Sequence, residues 1–191
     1  RLPGVTDERF ERDRPGAPQV VANDGAFLRE NARHSEPTVT WIGHATVLVQ
    51  MDHRTFLTDP IWSEKPFPVS FVGPKRFVPP ALALEALPPI DFVLLSHNHY
   101  DHLDVPTLRW LAAAGTRFLV PLGDGGWLRA AGIAPVDELD WWEHREVAGL
   151  DVHCVPAQHW SGRRLTDDCR SLWSGWVVTG PTRRFYFAGD S

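Results

Sequence analysis

The stretch Leu94-Leu95-Ser96-His97-Asn98-His99-Tyr100-Asp101-His102 limits what this chain can fold into more than any other. Phe92-Val93-Leu94-Leu95 reads as a buried strand, and His97, His99, Asp101 and His102 follow directly after it. His97 and His99 are two apart, so in an extended segment their side chains point the same way and can hold one ion between them. Asp101 and His102 come on the next bend and can face a second ion, at the roughly 3.5–4 Å spacing of a two-metal site. Imidazole nitrogen mixed with carboxylate oxygen suits zinc best, ahead of iron or manganese. Solvation alone gives no reason to pack three histidines and an aspartate behind a hydrophobic strand.

The pattern on either side describes the fold that presents this cluster. Residues 1–37 mix charge, Pro and Gly without sustained periodicity and read as an N-terminal arm, with a short helix over Ala26 to Ala32 capped by Asp24. From Thr38 a strand with alternating apolar residues runs on, interrupted at Gly43-His44. A turn at Asp52-His53-Arg54 and a second strand, Thr55 to Thr58, complete a hairpin that ends at Asp59-Pro60. The long connection Ile61 to Val78 is rich in Pro, Phe, Lys and Arg, and a loop of that length is expected to be packed or functional. A short helix is expected over Ala81 to Leu87.

Asp104 and Asp124 are placed to cap two further helices, with Gly115 and Gly132 as their stop signals. Strands are expected at Phe118 to Val120, Val136 to Leu139, Arg145 to Val147, Val152 to Val155, Leu172 to Thr179 and Arg184 to Phe187. Hairpins followed by strands alternating with helices point to an α/β sandwich with a mixed sheet.

Composition narrows the function. A net charge of −5 over 191 residues, with no basic stripe, argues against a nucleic-acid partner. Cys154 and Cys169 are too few for a disulfide framework, so a reducing, cytoplasmic compartment is the expectation. No apolar run approaches the ~20 residues of a membrane span. The chain opens on Arg1 and stops at Gly189-Asp190-Ser191, which reads as a piece of a longer protein, residues 38–191 forming one domain cut at its C-terminal side.

Two more candidate ligands stand past strand ends. His159 follows Val152 to Pro156, and Asp190 follows Arg184 to Phe187, with Gly189 letting the backbone turn tightly. Separate strand ends delivering His or Asp build a site on one rim of a sheet. His44 is either a group behind the ligands or a hydrogen-bonded core histidine. Asp59 is either a carboxylate that orients a metal-bound imidazole or a turn former. His34, His53 and His144 read as surface residues, and His153 as structural.

With these residues assembled, the chain resembles the metallo-β-lactamase superfamily, whose H-x-H-x-D-H signature is matched by His97 to His102. More narrowly it is similar to the N-acyl-phosphatidylethanolamine phospholipase D family and its bacterial relatives. The similarity lies in Trp41 to Thr46, Phe56 to Pro60, Gly73 to Phe77, Ser96 to Leu103, Glu138 to Glu143, Gln158 to Trp160 and Phe187 to Asp190.

The resemblance implies a four-layer αββα sandwich, here its N-terminal half to two-thirds, with a dinuclear zinc site at the edge of two sheets. His97, His99 and His159 would hold one zinc, Asp101 and His102 the other, and Asp190 would bridge them. A further histidine on the second zinc would lie beyond Ser191, leaving this stretch alone short of one ligand. The implied activity is metal-assisted hydrolysis of a phospholipid phosphodiester, with Asp101 and Asp190 as catalytic residues and Asp190 orienting the attacking water.

A peripheral membrane contact is expected at the loop where Trp62, Phe67, Phe71 and Phe77 sit beside Lys65, Lys75 and Arg76. A hydrolase of the same fold acting on another small phosphodiester, a lactone or a thioester stays open, since fold does not fix substrate. So does a metal-binding module without turnover.

Overall fold

The computed structural model describes residues 21, 23–34, 36–66, 75–164 and 166–191. Two sheets face each other. The first holds β1 (Thr38–Gly43), β2 (Thr46–Met51), β3 (Arg54–Thr58), β4 (Phe92–Leu94), β5 (Arg117–Pro121) and β6 (Val136–Leu139), adjacent in that order. The second has the order β10 (Arg184–Phe187), β9 (Gly175–Thr179), β8 (Leu150–Val155), β7 (His144–Val147), antiparallel throughout. Helices α1 (Ala26–His34), α2 (Val105–Ala113) and α3 (Gly125–Ala130) complete the described elements.

The pleat sorts the apolar residues into two cores, because successive side chains point to opposite faces of a strand. Phe56, Phe92, Leu94 and Leu119 face the second sheet and pack on Val152, Cys154, Trp176 and Val178. Leu57, Val93, Phe118 and Val120 face the other way and pack on Leu28, Leu108, Leu111 and Leu128 of the three helices. The central strands are buried on both sides, which is why they read as unbroken apolar runs. Helices, first sheet and second sheet are thus three of the four layers that the resemblance implied.

Local structure departs from expectation in three places. The interruption at Gly43-His44 is a reversal: Gly43 pairs with Thr46, and β1 and β2 form a hairpin of their own. Asp52 and His53, both at positive φ, turn the chain again into β3, so the start of the fold is a three-strand meander. Over Ala81 to Leu87 only a single 3-10 turn forms, at Leu84–Ala86. The last long strand begins at Gly175 rather than Leu172.

Asp24 does cap α1, accepting from the Ala26 amide at 2.8 Å. The Asp104 and Asp124 side chains give no such cap to the helices they precede. Asp104 instead accepts from the amides of Trp62 and Ser63 and the hydroxyls of Ser63 and Thr107. It ties the connection after β3 to α2.

Trp62 is 1% exposed and donates from Nε1 to the Leu82 carbonyl, so it belongs to the core and not to a lipid-facing set. Arg76 is likewise turned inward, bonding the Ile61 and Val78 carbonyls, and Lys75 pairs with Glu64 at 2.8 Å. Phe67 and Phe71 lie outside the described residues; Phe77 is exposed.

The two sheets are pinned together where the chain leaves β4. Trp176, fully buried, donates from Nε1 to the Leu95 carbonyl, and the Ser174 amide donates to the Ser96 carbonyl. His97 comes next. The cluster is therefore fixed at the common rim of both sheets.

Candidate metal centre

Six side chains meet at that rim. His97, His99, Asp101 and His102 arrive from the turn after β4, His159 from the loop after β8, and Asp190 from the residues after β10. Gly189 stands at φ +65°, and a Cβ there would lie 2.8 Å from that of Ser96, so the approach that delivers Asp190 has room only for glycine.

The side chains fall into two groups. In the first, His97 Nε2 and His159 Nε2 lie 2.9 and 3.2 Å from His99 Nδ1. A proton between rings can satisfy one of those contacts, whereas a cation satisfies all three nitrogens at once. The other ring nitrogen of His97 faces the Ser96 hydroxyl at 2.8 Å, which fixes the orientation of a ring that is 1% exposed. In the second group, His44 Nε2 is 3.2 Å and His102 Nε2 3.9 Å from Asp101 Oδ2. Asp190 Oδ2 links the groups, 3.1 Å from His102 Nε2 and 3.8 Å from His159 Nε2.

Asp59 sits beneath the second group, fully buried. It accepts from the Ser96 amide, faces the Ser96 hydroxyl, and lies 2.7 Å from His102 Nδ1. That contact places the His102 proton on Nδ1 and leaves Nε2, buried and without a hydrogen-bond partner, free as a ligand. Asp59 thus has the orienting role, and His44 belongs with Asp101 and His102 rather than to the core.

The electrostatics ask for positive charge. Burial drives the His97 pKa down to about 2, helped by His102, His99 and His159, and burial with His159 also lowers that of His99. Both are neutral, as ligands must be. His102 goes the other way: burial opposes its charge, but the bond to Asp59 and the carboxylates of Asp59, Asp190 and Asp101 outweigh it and lift the pKa to about 9. The hydrogen bond from His44 is the main reason that the Asp101 carboxyl stays ionised, well below the usual range. A proton on His102 is what these carboxylates hold when no metal does.

Residues to which the sequence assigned no role at the site hold the cluster in shape. Arg163 donates to the Asn98 and Leu103 carbonyls, bracketing the turn, and its guanidinium lies 4.1 Å over the Tyr100 ring. Tyr100 donates back to the Arg163 carbonyl, and buried Asn98 bonds Asp124, Ser171 and the Gly162 amide. Trp160 packs edge-on against His99, ring centres 4.2 Å apart. Only the neighbouring H-x-H-x-D-H pattern could have drawn attention to Asn98 and Tyr100; nothing local marks Arg163.

The donor set fits divalent metal in both groups: neutral His97 and His99 beside His159, the unpartnered Nε2 of His102 and the ionised Asp101 converge at the mouth of a sandwich.

Residues 54–191 match the family described as the beta-lactamase superfamily domain. An uncharacterised protein of Mycobacterium tuberculosis is 43% identical over 189 residues, 96% of this chain and 49% of that protein. The N-acyl-phosphatidylethanolamine-hydrolyzing phospholipase D 1 of Caenorhabditis elegans is 43% identical over 171 residues, 83% of this chain and 48% of that enzyme. Among solved structures, CmlA, a diiron beta-hydroxylase from Streptomyces venezuelae, superposes with a TM-score of 0.60 at 29% identity, over 82% of this chain and 30% of that one. The chain spans about half the length of the curated relatives that it matches.

Proposed function

The chain belongs to the beta-lactamase superfamily domain family, and on that premise we propose that its protein is a zinc-dependent hydrolase that cleaves phospholipids of the N-acyl-phosphatidylethanolamine type, in the manner of a phospholipase D. The observation that carries the reading is Asp190 Oδ2, set between a three-histidine group and an Asp-His group. The nematode relative supports the substrate.

Bound divalent ions would supply positive charge for the phosphoryl oxygens and make a water acidic enough to act near neutral pH. His97, His99 and His159 would hold one, and Asp101 with His102 the other. Asp190, partly open to solvent and reaching both groups, accepts a hydrogen bond from the attacking water and orients it toward phosphorus. Asp59 keeps the His102 tautomer, and His44 keeps Asp101 ionised and aimed. On this reading the protein works in the cytoplasm and meets its lipid at the membrane surface, with exposed Phe77, within the connection after β3, as one contact.

The test uses the full-length protein. Zinc-loaded enzyme mixed with N-acyl-phosphatidylethanolamine should yield N-acylethanolamine and phosphatidic acid by mass spectrometry, and Asp101→Asn should remove most of that yield. An Asp101→Asn rate within a few-fold of wild type would sink the role given to Asp101. If wild type yields nothing, smaller phosphodiesters, lactones and thioesters come next. The likeness to a diiron enzyme makes iron the second candidate ion, and elemental analysis of the purified protein decides between them.

A further inference from the structure

On the β7–β8 hairpin, away from the six-residue centre, three other ligand-type side chains converge. Ala148 and Gly149, both at positive φ, make the two-residue turn between strands paired as Val147 to Leu150, Glu146 to Asp151, Arg145 to Val152 and His144 to His153. Counting outward from that turn, His144 and His153 occupy a pair without mutual backbone hydrogen bonds, the kind that brings side chains closest. Leu150, Val152 and Cys154 point into the core, so Asp151 and His153 point out, on one face with His144.

The rings stack, centres 5.1 Å apart and 14° from parallel. The Asp151 carboxylate spans them, 2.7 Å from His144 Nδ1 and 2.9 Å from His153 Nε2. One ligand atom from each residue lies within 4.8 Å of the other two.

We propose that His144, Asp151 and His153 form a second metal site that takes a divalent transition ion of the zinc, nickel and copper class. Two imidazoles and a carboxylate are the donors that these ions prefer over magnesium or calcium. Register holds both rings on one side of the hairpin before any ion arrives, so little ordering remains to be done on binding. Glu146 lies opposite Asp151 on the same face. The site has a mechanical consequence. Among the described residues β7 is the edge of its sheet, and an ion between His144 and His153 staples that edge to β8.

The experiment titrates zinc into the full-length protein with the main centre already filled, read by calorimetry. A weaker class of one ion per chain is expected, lost in the His144→Ala/His153→Ala variant and weakened at least tenfold in Asp151→Asn, with the main-centre stoichiometry and the melting curve of both variants unchanged. Zinc in the weaker class should also slow amide exchange in β7. The proposal is overturned if wild type shows no weaker class, as it would were the rest of the polypeptide to cover this face. It is overturned equally if the variants keep it. Should the double variant melt early, the Asp151→Asn titration and the β7 exchange decide alone.

Discussion

At the scale of single residues, His102 and Asp59 carry the most information. His102 has a pKa lifted to about 9 in the folded chain, against about 6.5 unfolded. A group raised in the folded state stabilises it fully below the unfolded pKa and loses that contribution as pH climbs through the folded one. His97 has the opposite sign. Its depressed pKa means that stability falls as pH drops below about 6.5, where the unfolded histidine takes a proton that the buried one refuses. Protein stripped with a chelator should therefore be most stable near pH 6.5 and weaken toward pH 9, by an amount bounded at about 3 kcal/mol if the His102 shift acts alone.

Urea unfolding across pH 5.5 to 9.5 reads both arms. Asp59→Asn should abolish the alkaline arm and keep the acid one; an unchanged alkaline arm means that Asp59 does not hold the proton. An amide at residue 59 that donates to His102 Nδ1 also moves the ring proton to Nε2, so metal affinity in the second group should drop about 10–100-fold. The sequence left Asp59 balanced between this role and a turn former. The deciding fact is the 2.7 Å contact with His102, made across 43 residues of chain.

At the scale of elements, the site depends on how one turn is gripped. The sequence pointed to strand ends as the source of the candidate ligands, because apolar runs followed at once by His or Asp have few other readings, and the side chains do converge there. It did not show what holds the turn from Asn98 to Leu103, since the Arg163 clamp comes from a loop 60 and 65 residues away, with no motif of its own. The β1–β2 reversal was missed for a different reason. Gly43-His44 has no Asn-Gly or Asp-Gly signature, and a break between two apolar strands looks alike whether the chain runs on or doubles back.

The clamp can be tested directly. Arg163→Met keeps much of the side chain over Tyr100 but leaves the Asn98 and Leu103 carbonyls unpaired, each a loss of about 1–3 kcal/mol where buried. Amide exchange in residues 97–103 should rise and metal affinity fall at least tenfold, while exchange in the second sheet stays as it was. If exchange rises equally everywhere, Arg163 supports the fold as a whole and not this turn.

At the scale of the whole molecule, the metal centre is also a joint between two sheets. His97, His99, Asp101 and His102 extend from the sheet that packs on the helices, while His159 and Asp190 extend from the other. Unbroken apolar runs announce a doubly buried strand but not which residue serves which core, so the partition at Phe92, Val93 and Leu94 emerged only with the fold. The joint itself was foreseeable in kind, since ligands drawn from both halves of a chain must bring those halves together.

Ions held by both sheets bind the folded protein and not the unfolded one, and stabilise it by about 2.7 kcal/mol at a hundredfold excess over the dissociation constant. Removal of metal from the full-length protein should therefore lower its melting temperature by several degrees, and readdition should restore it. In a His159→Ala/Asp190→Ala variant the second sheet has lost its hold on the ions, so the metal-dependent part of the shift should shrink to a small fraction, although the metal-free melting point changes little at these partly exposed positions. A variant that keeps the whole shift would show that the ions stabilise the turn after β4 alone, and that the sheets are held by Trp176 and the core between them.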